Sequence, residues 1–434
     1  MVVVEKPRDA LNVRPPEEKP EAAASRAPRG PVKVVHAFWL AGMSCDGCSV
    51  STTGATNPSV EDLLTGSISG LPKVVLHHPV LSLEVGEEFI HPFKMAADGE
   101  LDAPYVVIYE GSIADERIAA HTNGYWSAMG DEAIEEGRRP TPTAERLAKM
   151  APNAAAVVAI GTCATWGGIP SAAGNVTGSM SLMDFLGADY RSTLGLPVIN
   201  IPGCAPIGDN FTETIATILM FLQGIGPLPE FDELGRPAWL FSETVHRTCT
   251  RAGYYEEGVF AKDFGDKECL VEIGCWGPVV NCNIVARGAQ SHMGGCMAAG
   301  GPCIGCTMPG FPDKFAPFYK SPPGSLVSSN ASRTLGFGIR RLRTLSNTHL
   351  NREVAWDKRY DGNVPSGWGN PGKLSMFDNV VHYFYEKLQF QGSVRPGRHK
   401  SGNWHTDRQP WSTQGMDVVR DVDAPANSDA PRKE

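Results

Sequence analysis

Eleven cysteines lie in irregular groups along the 434 residues, and an odd number cannot pair off completely. Disulfide frameworks belong mostly to small secreted domains with even counts, so metal ligation is the better reading of thiols in a chain of this length. Two C-x-x-C pairs, Cys45 with Cys48 and Cys303 with Cys306, and one H-x-x-C, His246 with Cys249, have spacings that let neighbouring side chains bind one centre. Taken alone, the first pair fits a thioredoxin-like redox pair or half a zinc site equally well. A lone histidine such as His246 is more often a surface or core residue.

The positions of the first cysteines relative to apolar runs narrow the reading. Val32–Leu40, Tyr105–Tyr109, Ala155–Ile160 and Pro197–Ile201 read as buried strands alternating with helix-like stretches, which predicts an α/β fold with a parallel sheet. Cys45 and Cys48 follow the first run, Cys163 the third and Cys204 the fourth. In an open parallel sheet the strand C-ends share one edge, where ligands bind, so these four thiols are expected to converge. Gly47, Gly161 and Gly203 beside them let the backbone approach a bulky inorganic group. One helix is predicted to start at Asn57-Pro58, with Glu61 and Asp62 in its first turn and Gly66 as its stop; another is predicted over Asp209–Gln223.

After Gly226, Gly, Pro and Cys become dense and periodicity fades, so that stretch is expected to be held together by what its cysteines bind. Leu335–Leu350 and Ser375–Leu388 read as two further helices. The expected organisation is an N-terminal flexible arm over 1–30, a sheet domain over 31–226, a cysteine-rich domain over 227–325 and a C-terminal extension over 326–434. With 42% hydrophobic residues the chain has material for a sizeable core, and a net charge of −9 argues against nucleic acid as a partner. The best candidate for a spanning segment, Ile215–Leu222, is far short of the roughly 20 apolar residues such a helix requires. The arm lacks the layout of a secretory or twin-Arg signal, so the expected location is cytoplasmic, with any membrane association made through partners.

Counting sharpens the ligand sets. Cys45, Cys48, Cys163 and Cys204 make one group of four; His246, Cys249, Cys269 and Cys275 a second; Cys282, Cys296, Cys303 and Cys306 a third, and together they use all eleven cysteines. Three zinc sites would give the same total, so the arithmetic supports metal ligation without choosing the metal.

The motifs, in order, are AGMSCDGCS, IYEGSI at Ile108–Ile113, GTCATWGG at Gly161–Gly168, PGCAP at Pro202–Pro206, HRTC, GCWGP at Gly274–Pro278 and CIGC. From Val32 to Phe318 this series resembles the small subunit of nickel–iron hydrogenases. The resemblance implies a flavodoxin-like first domain and an electron-transfer role, with hydrogen oxidised at a nickel–iron site in a partner large subunit. It implies three iron–sulfur clusters: a proximal [4Fe-4S] on Cys45, Cys48, Cys163 and Cys204, a medial cluster on Cys282, Cys303 and Cys306, and a distal [4Fe-4S] on His246, Cys249, Cys269 and Cys275. No residue of this chain would be catalytic in the bond-breaking sense.

Many members have a [3Fe-4S] medial cluster, with a proline before the closing C-x-x-C. Cys296 lies near that proline's place, so a fourth thiolate and a medial [4Fe-4S] are expected here. The two extra proximal cysteines of oxygen-tolerant membrane-bound members are replaced by Gly47 and, approximately, Gly168. The acceptor implied is a quinone, a haem protein or a carrier, and the assembly implied is a higher oligomer of heterodimers, resembling uptake enzymes that face the cytoplasm. Three rival readings stand beside this one: a hydrogen-sensing regulatory subunit on the same scaffold, a complex I-type subunit, and a structural zinc protein. The complex I-type domain holds its cluster with a tandem cysteine pair, which this sequence lacks.

Overall fold

The computed structural model describes residues 31–121, 124–134, 137–187, 189–316, 318–319, 329–338 and 341. Packing divides the chain into two compact units: the described part of the first runs through 31–238 with Met308–Asp313, and that of the second through Trp239–Thr307 and onward from Lys314. The helix expected over Ser375–Leu388 lies outside the described residues.

In the first unit the strands are β1 (Val34–Ala41), β2 (Lys73–His77), β3 (Tyr105–Glu110), β4 (Ala128–Ile134), β5 (Gly137–Pro142), β6 (Ala156–Ile160) and β7 (Ile199–Ile201). Five of them form one sheet in the order β2-β1-β3-β6-β7, every neighbouring pair parallel, while β4 and β5 make a separate antiparallel hairpin. With the hairpin set aside, this is the 2-1-3-4-5 order of flavodoxin-like sheets, whose chain reverses direction across the sheet between its first and third strands. The α/β fold class therefore stands.

Alternation along the strands explains why both faces are covered. Phe38, Leu40, Val107 and Tyr109 point into one apolar cluster with Phe93 and Leu147, from the helices Gly86–Asp98 and Thr143–Met150. Val35, Ala37, Trp39, Val106 and Ile108 point into the other, with Phe211, Ile215 and Leu219. Period-two side chains on a sheet buried from both sides give nearly continuous apolar runs, which is why β1, β3, β6 and β7 stand out in the sequence.

The first unit's site is framed by α1 (Gly47–Thr53), α2 (Val60–Thr65), α3 (Gly161–Trp166) and α4 (Gly208–Leu222). Helix α2 departs from the expectation at Asn57-Pro58: its cap is Ser59. Ser59 Oγ accepts from Asp62 N at 3.1 Å and Asp62 accepts from Ser59 N at 3.1 Å, a reciprocal capping box that outweighs the bare Asn-Pro pair. Gly66, at φ 68°, ends it as predicted.

The second unit is made of short turns. Helix α5 (Val245–Thr248) is joined by Val245 N to Val280 O at 2.8 Å, Ala261 N meets Cys269 O at 2.9 Å, and Trp276 N meets Cys303 O at 2.9 Å. Neither of the large apolar clusters includes a residue of this unit. Residues 329–338 are helical, starting before the predicted Leu335, and Ser332 Oγ donates to Tyr255 O at 2.7 Å; residues 342–350 lie outside the described residues. Among the described residues, no helix is long and apolar enough to cross a membrane.

Candidate metal centres

The C-terminal edge of the sheet gathers the first four cysteines as predicted. Cys45 and Cys48 lie where β1 turns into α1, Cys163 in the first turn of α3 directly after β6, and Cys204 three residues beyond β7. Asp46, between the first pair, is N-cap of α1 in the left-handed region (φ 59°) and makes no side-chain capping bond. Burial pushes the Cys48 thiol far up, and the charges of Glu110, Cys163, Cys45 and Cys204 add to that. Cys163 is pushed up to about 12 by burial, then by Cys204; Cys204 is raised by burial, then by Cys45. Thiols this close oppose one another's ionisation.

Glycine makes the approach possible. Gly161 sits at φ 85°, and a Cβ there would run into Cys48 Sγ; at Gly168, φ 57°, a Cβ would lie 2.8 Å from Cys163 Sγ. All eleven cysteines are unbridged. Among the described residues, no three His, Cys, Asp or Glu side chains close on a single point as one ion requires. The four sheet-edge thiols neighbour one another. A cationic centre among them would reverse the penalty on ionisation and make them thiolates.

Beneath this loop lies a buried carboxylate that the sequence reading passed over. Glu110 ends β3 and is 1% exposed. Its Oε1 accepts from Cys48 N at 3.0 Å and Ser49 N at 3.4 Å; its Oε2 accepts from Trp39 Nε1 at 2.9 Å and Ser49 Oγ at 2.5 Å. Four donors thus converge on its two oxygens. Ser49 Oγ also lies 2.9 Å from His78 Nε2, and His78 Nδ1 accepts from Val80 N at 3.1 Å and Leu81 N at 3.3 Å. That fixes the tautomer: His78 carries its proton on Nε2 and donates to Ser49, which donates to Glu110. Burial lowers the His78 pKa, in keeping with a neutral ring. The visible signal was an acidic residue closing the apolar strand YVVIYE.

In the second unit one cavity is lined by His246, Cys249, Cys269 and Cys275, the predicted group of four, together with Arg251 and Met297. The His246 ring packs edge-on against Tyr255, centroids 4.9 Å apart. Backbone N–H groups point at the sulfurs: Arg251 N to Cys249 Sγ at 3.4 Å, Gly277 N to Cys275 Sγ at 3.4 Å and Cys303 N to Cys275 Sγ at 3.3 Å. Burial pushes Cys275 up to about 11 against the pull of those two N–H groups, and raises Cys269 and Cys249 as well.

The third group is only partly gathered. Burial holds Cys303 well above the usual thiol range, and the charges of Cys275, Cys306 and Cys282 add to that, so Cys303 has both Cys282 and Cys306 near it. Cys296 is exposed as a residue, although burial of its sulfur raises its pKa; its charge acts on Cys275.

Comparison with known proteins agrees with this geometry. Residues 241–319 match the family described as NiFe/NiFeSe hydrogenase small subunit, C-terminal, and residues 45–218 match NADH ubiquinone oxidoreductase, 20 Kd subunit. The periplasmic [NiFeSe] hydrogenase small subunit of Desulfomicrobium baculatum is 32% identical over 65% of this chain and 86% of its own length. This chain belongs to the nickel–iron hydrogenase small-subunit family. The Hydrogenase-2 small chain of Escherichia coli K12 is 34% identical over 63% of this chain and 67% of its own. Among solved structures, an actinobacterial-type NiFe-hydrogenase from Ralstonia eutropha H16 superposes with a TM-score of 0.71 at 50% identity, covering 78% of this chain and 96% of that one. As a hydrogenase small subunit, the chain shares its sheet domain with the complex I-type subunit, and only the hydrogenase family accounts for residues 241–319 as well. The family implies iron–sulfur clusters here and a large subunit bearing the nickel–iron site as partner.

Proposed function

We propose that this chain carries three iron–sulfur clusters and conducts electrons, released by hydrogen oxidation in the large subunit, to an external acceptor. Cys45, Cys48, Cys163 and Cys204 would hold the proximal cluster, His246, Cys249, Cys269 and Cys275 the distal one, and Cys282, Cys303 and Cys306 with Cys296 a medial [4Fe-4S]. The observation that carries this reading is the meeting, at one sheet edge, of four thiols from three strand ends whose charges act on one another. When bound, such clusters supply one-electron redox chemistry.

The chain's own residues position and tune. Glu110 holds the Cys48–Ser49 backbone in place from below. The N–H groups of Arg251, Gly277 and Cys303 stabilise negative charge on Cys249 and Cys275, which favours the more reduced state of whatever those sulfurs bind. His246 is a neutral ligand where the other eleven are anionic, and it acts in the same direction, as suits the station where electrons leave.

The test is to purify the chain anaerobically with what accompanies it and to measure iron, acid-labile sulfide, nickel and hydrogen-dependent dye reduction. About twelve irons per chain are expected if all three centres are four-iron clusters. Zinc in place of iron, or no nickel-bearing companion, overturns the proposal. Dye reduction at high turnover separates it from a hydrogen-sensing role.

A further inference from the structure

Arg251 occupies an unusual electrostatic position. It lines the cavity with His246, Cys249, Cys269 and Cys275. Arg236, Arg247 and Arg333 each meet a carboxylate, on Asp232, Glu243 and Glu272 respectively. Arg251 meets none among the described residues. Its guanidinium is satisfied by backbone carbonyls: Nη1 donates to Asp266 O at 2.5 Å and Glu268 O at 2.9 Å, and Nη2 donates to Met297 O at 3.4 Å. The Asp266 carboxylate is turned to the N–H groups of Lys262 and Asp263, at 2.9 and 3.0 Å.

Those contacts are placed on ligand-bearing segments. Arg251 follows Cys249 by two residues and donates its own N–H to that sulfur; Glu268 immediately precedes Cys269; Met297 immediately follows Cys296. A rigid planar fork therefore ties three loops together. Carbonyl dipoles orient the fork without cancelling its charge, and that charge reaches the sulfurs, opposing the burial penalty at Cys249 and Cys269.

We propose that Arg251 is the positioning residue that sets the reduction potential of the His246 centre, clamping its loops and stabilising its reduced form with an uncompensated positive charge. The inference rests on reading His246, Cys249, Cys269 and Cys275 as ligands of an iron–sulfur cluster. Reduction adds one negative charge to the centre, and a fixed cation a few ångströms away in a poorly solvated cavity favours that state. Arg251 and the neutral imidazole of His246 then act in one direction, making this centre a relative sink for electrons.

The experiment is a redox titration, followed by EPR, of the hydrogenase complex carrying parent chain, Arg251→Gln or Arg251→Lys, with iron and sulfide measured on each. In R251Q the His246 centre should become harder to reduce, by at least a tenfold change in its reduced-to-oxidised ratio at fixed potential, about 59 mV for one electron. The other centres should not move. R251K keeps the charge and should titrate close to the parent. A fully loaded R251Q titrating with the parent overturns the inference. If R251Q fails to retain iron, R251K carries the test: a parent-like midpoint supports the role of the charge, and a fall overturns it. A parent complex without iron and sulfide would sink the reading beneath, a result distinguishable from either.

Discussion

Replacing Glu110 by Gln keeps the shape of the side chain and removes one acceptor, so the cost follows from the donor count. Two donors face each carboxylate oxygen: Cys48 N and Ser49 N on one, Trp39 Nε1 and Ser49 Oγ on the other. Whichever way the amide is turned, its NH2 confronts two of them. The less damaging choice sets NH2 toward Trp39 and Ser49. Ser49 cannot pass the problem on, because His78 Nε2 already donates to it and the backbone N–H groups of Val80 and Leu81 hold the ring in that tautomer. Two hydrogen bonds to a charged group are lost, each worth roughly 1.5–3 kcal/mol, for a total of about 3 kcal/mol at the low end. In a unit of this size that lowers the unfolding midpoint by roughly 6–12 °C. Thermal unfolding of the full chain followed by tryptophan fluorescence, with iron retention measured alongside, is the assay. The double variant E110Q/W39F removes one of the confronted donors and should be less destabilised than the sum of the single variants. An E110Q protein that melts within about 2 °C of the parent and keeps its iron, or strict additivity with W39F, refutes the network.

Other perturbations follow from the same geometry. His77, stacked on His36 with their ring nitrogens 2.8 Å apart, has its pKa lowered to about 4 by burial and then by the His36 charge. The unfolded chain binds the proton first, so this histidine's contribution is complete above about pH 6.5 and is lost as pH falls toward 4; His77→Gln should flatten that limb of a stability-against-pH curve. Gly161→Ala adds a methyl in a left-handed conformation against Cys48 Sγ, and EPR should lose the proximal signal while the other centres persist. Cys296→Pro should change the medial signal; an unchanged spectrum removes Cys296 from the ligand set. Iron removal by a chelator should open the second unit to proteolysis before the first, and simultaneous cleavage in both would count against a cluster-supported second unit.

The sheet was legible because its central strands are buried on both faces. β1, β3, β6 and β7 appear as apolar runs close to their observed limits. β2 was missed because KVVLH is a short edge strand with an exposed lysine and only one fully buried residue, and the β4–β5 hairpin because AMGDEAI and GRRPTP carry charges and proline where a strand signal would need apolar alternation. The shift of the α2 cap from Asn57 to Ser59 has a similar cause: two cap-forming residues compete, and the one with a carboxylate three positions on closes a capping box. The convergence of Cys45, Cys48, Cys163 and Cys204 was readable from their places after apolar runs; Glu110 and Arg251 were not, because their contacts depend on donors and acceptors brought from distant segments by topology.

That contrast reaches into the second unit. Its buried residues include Cys269, Cys275, Cys282 and Cys303, side chains whose burial as thiols brings little apolar area. The unit also buries Phe241, Val245, Tyr255, Leu270 and Val271, so its thiols share the interior with apolar side chains. The first unit has two apolar clusters on a parallel sheet, and it offers its four thiols at the edge where that topology leaves a crevice. One chain thus brings cysteines together in two settings: in the first unit the sheet topology places four of them at one edge, and in the second short turns set His246, Cys249, Cys269 and Cys275 around one cavity.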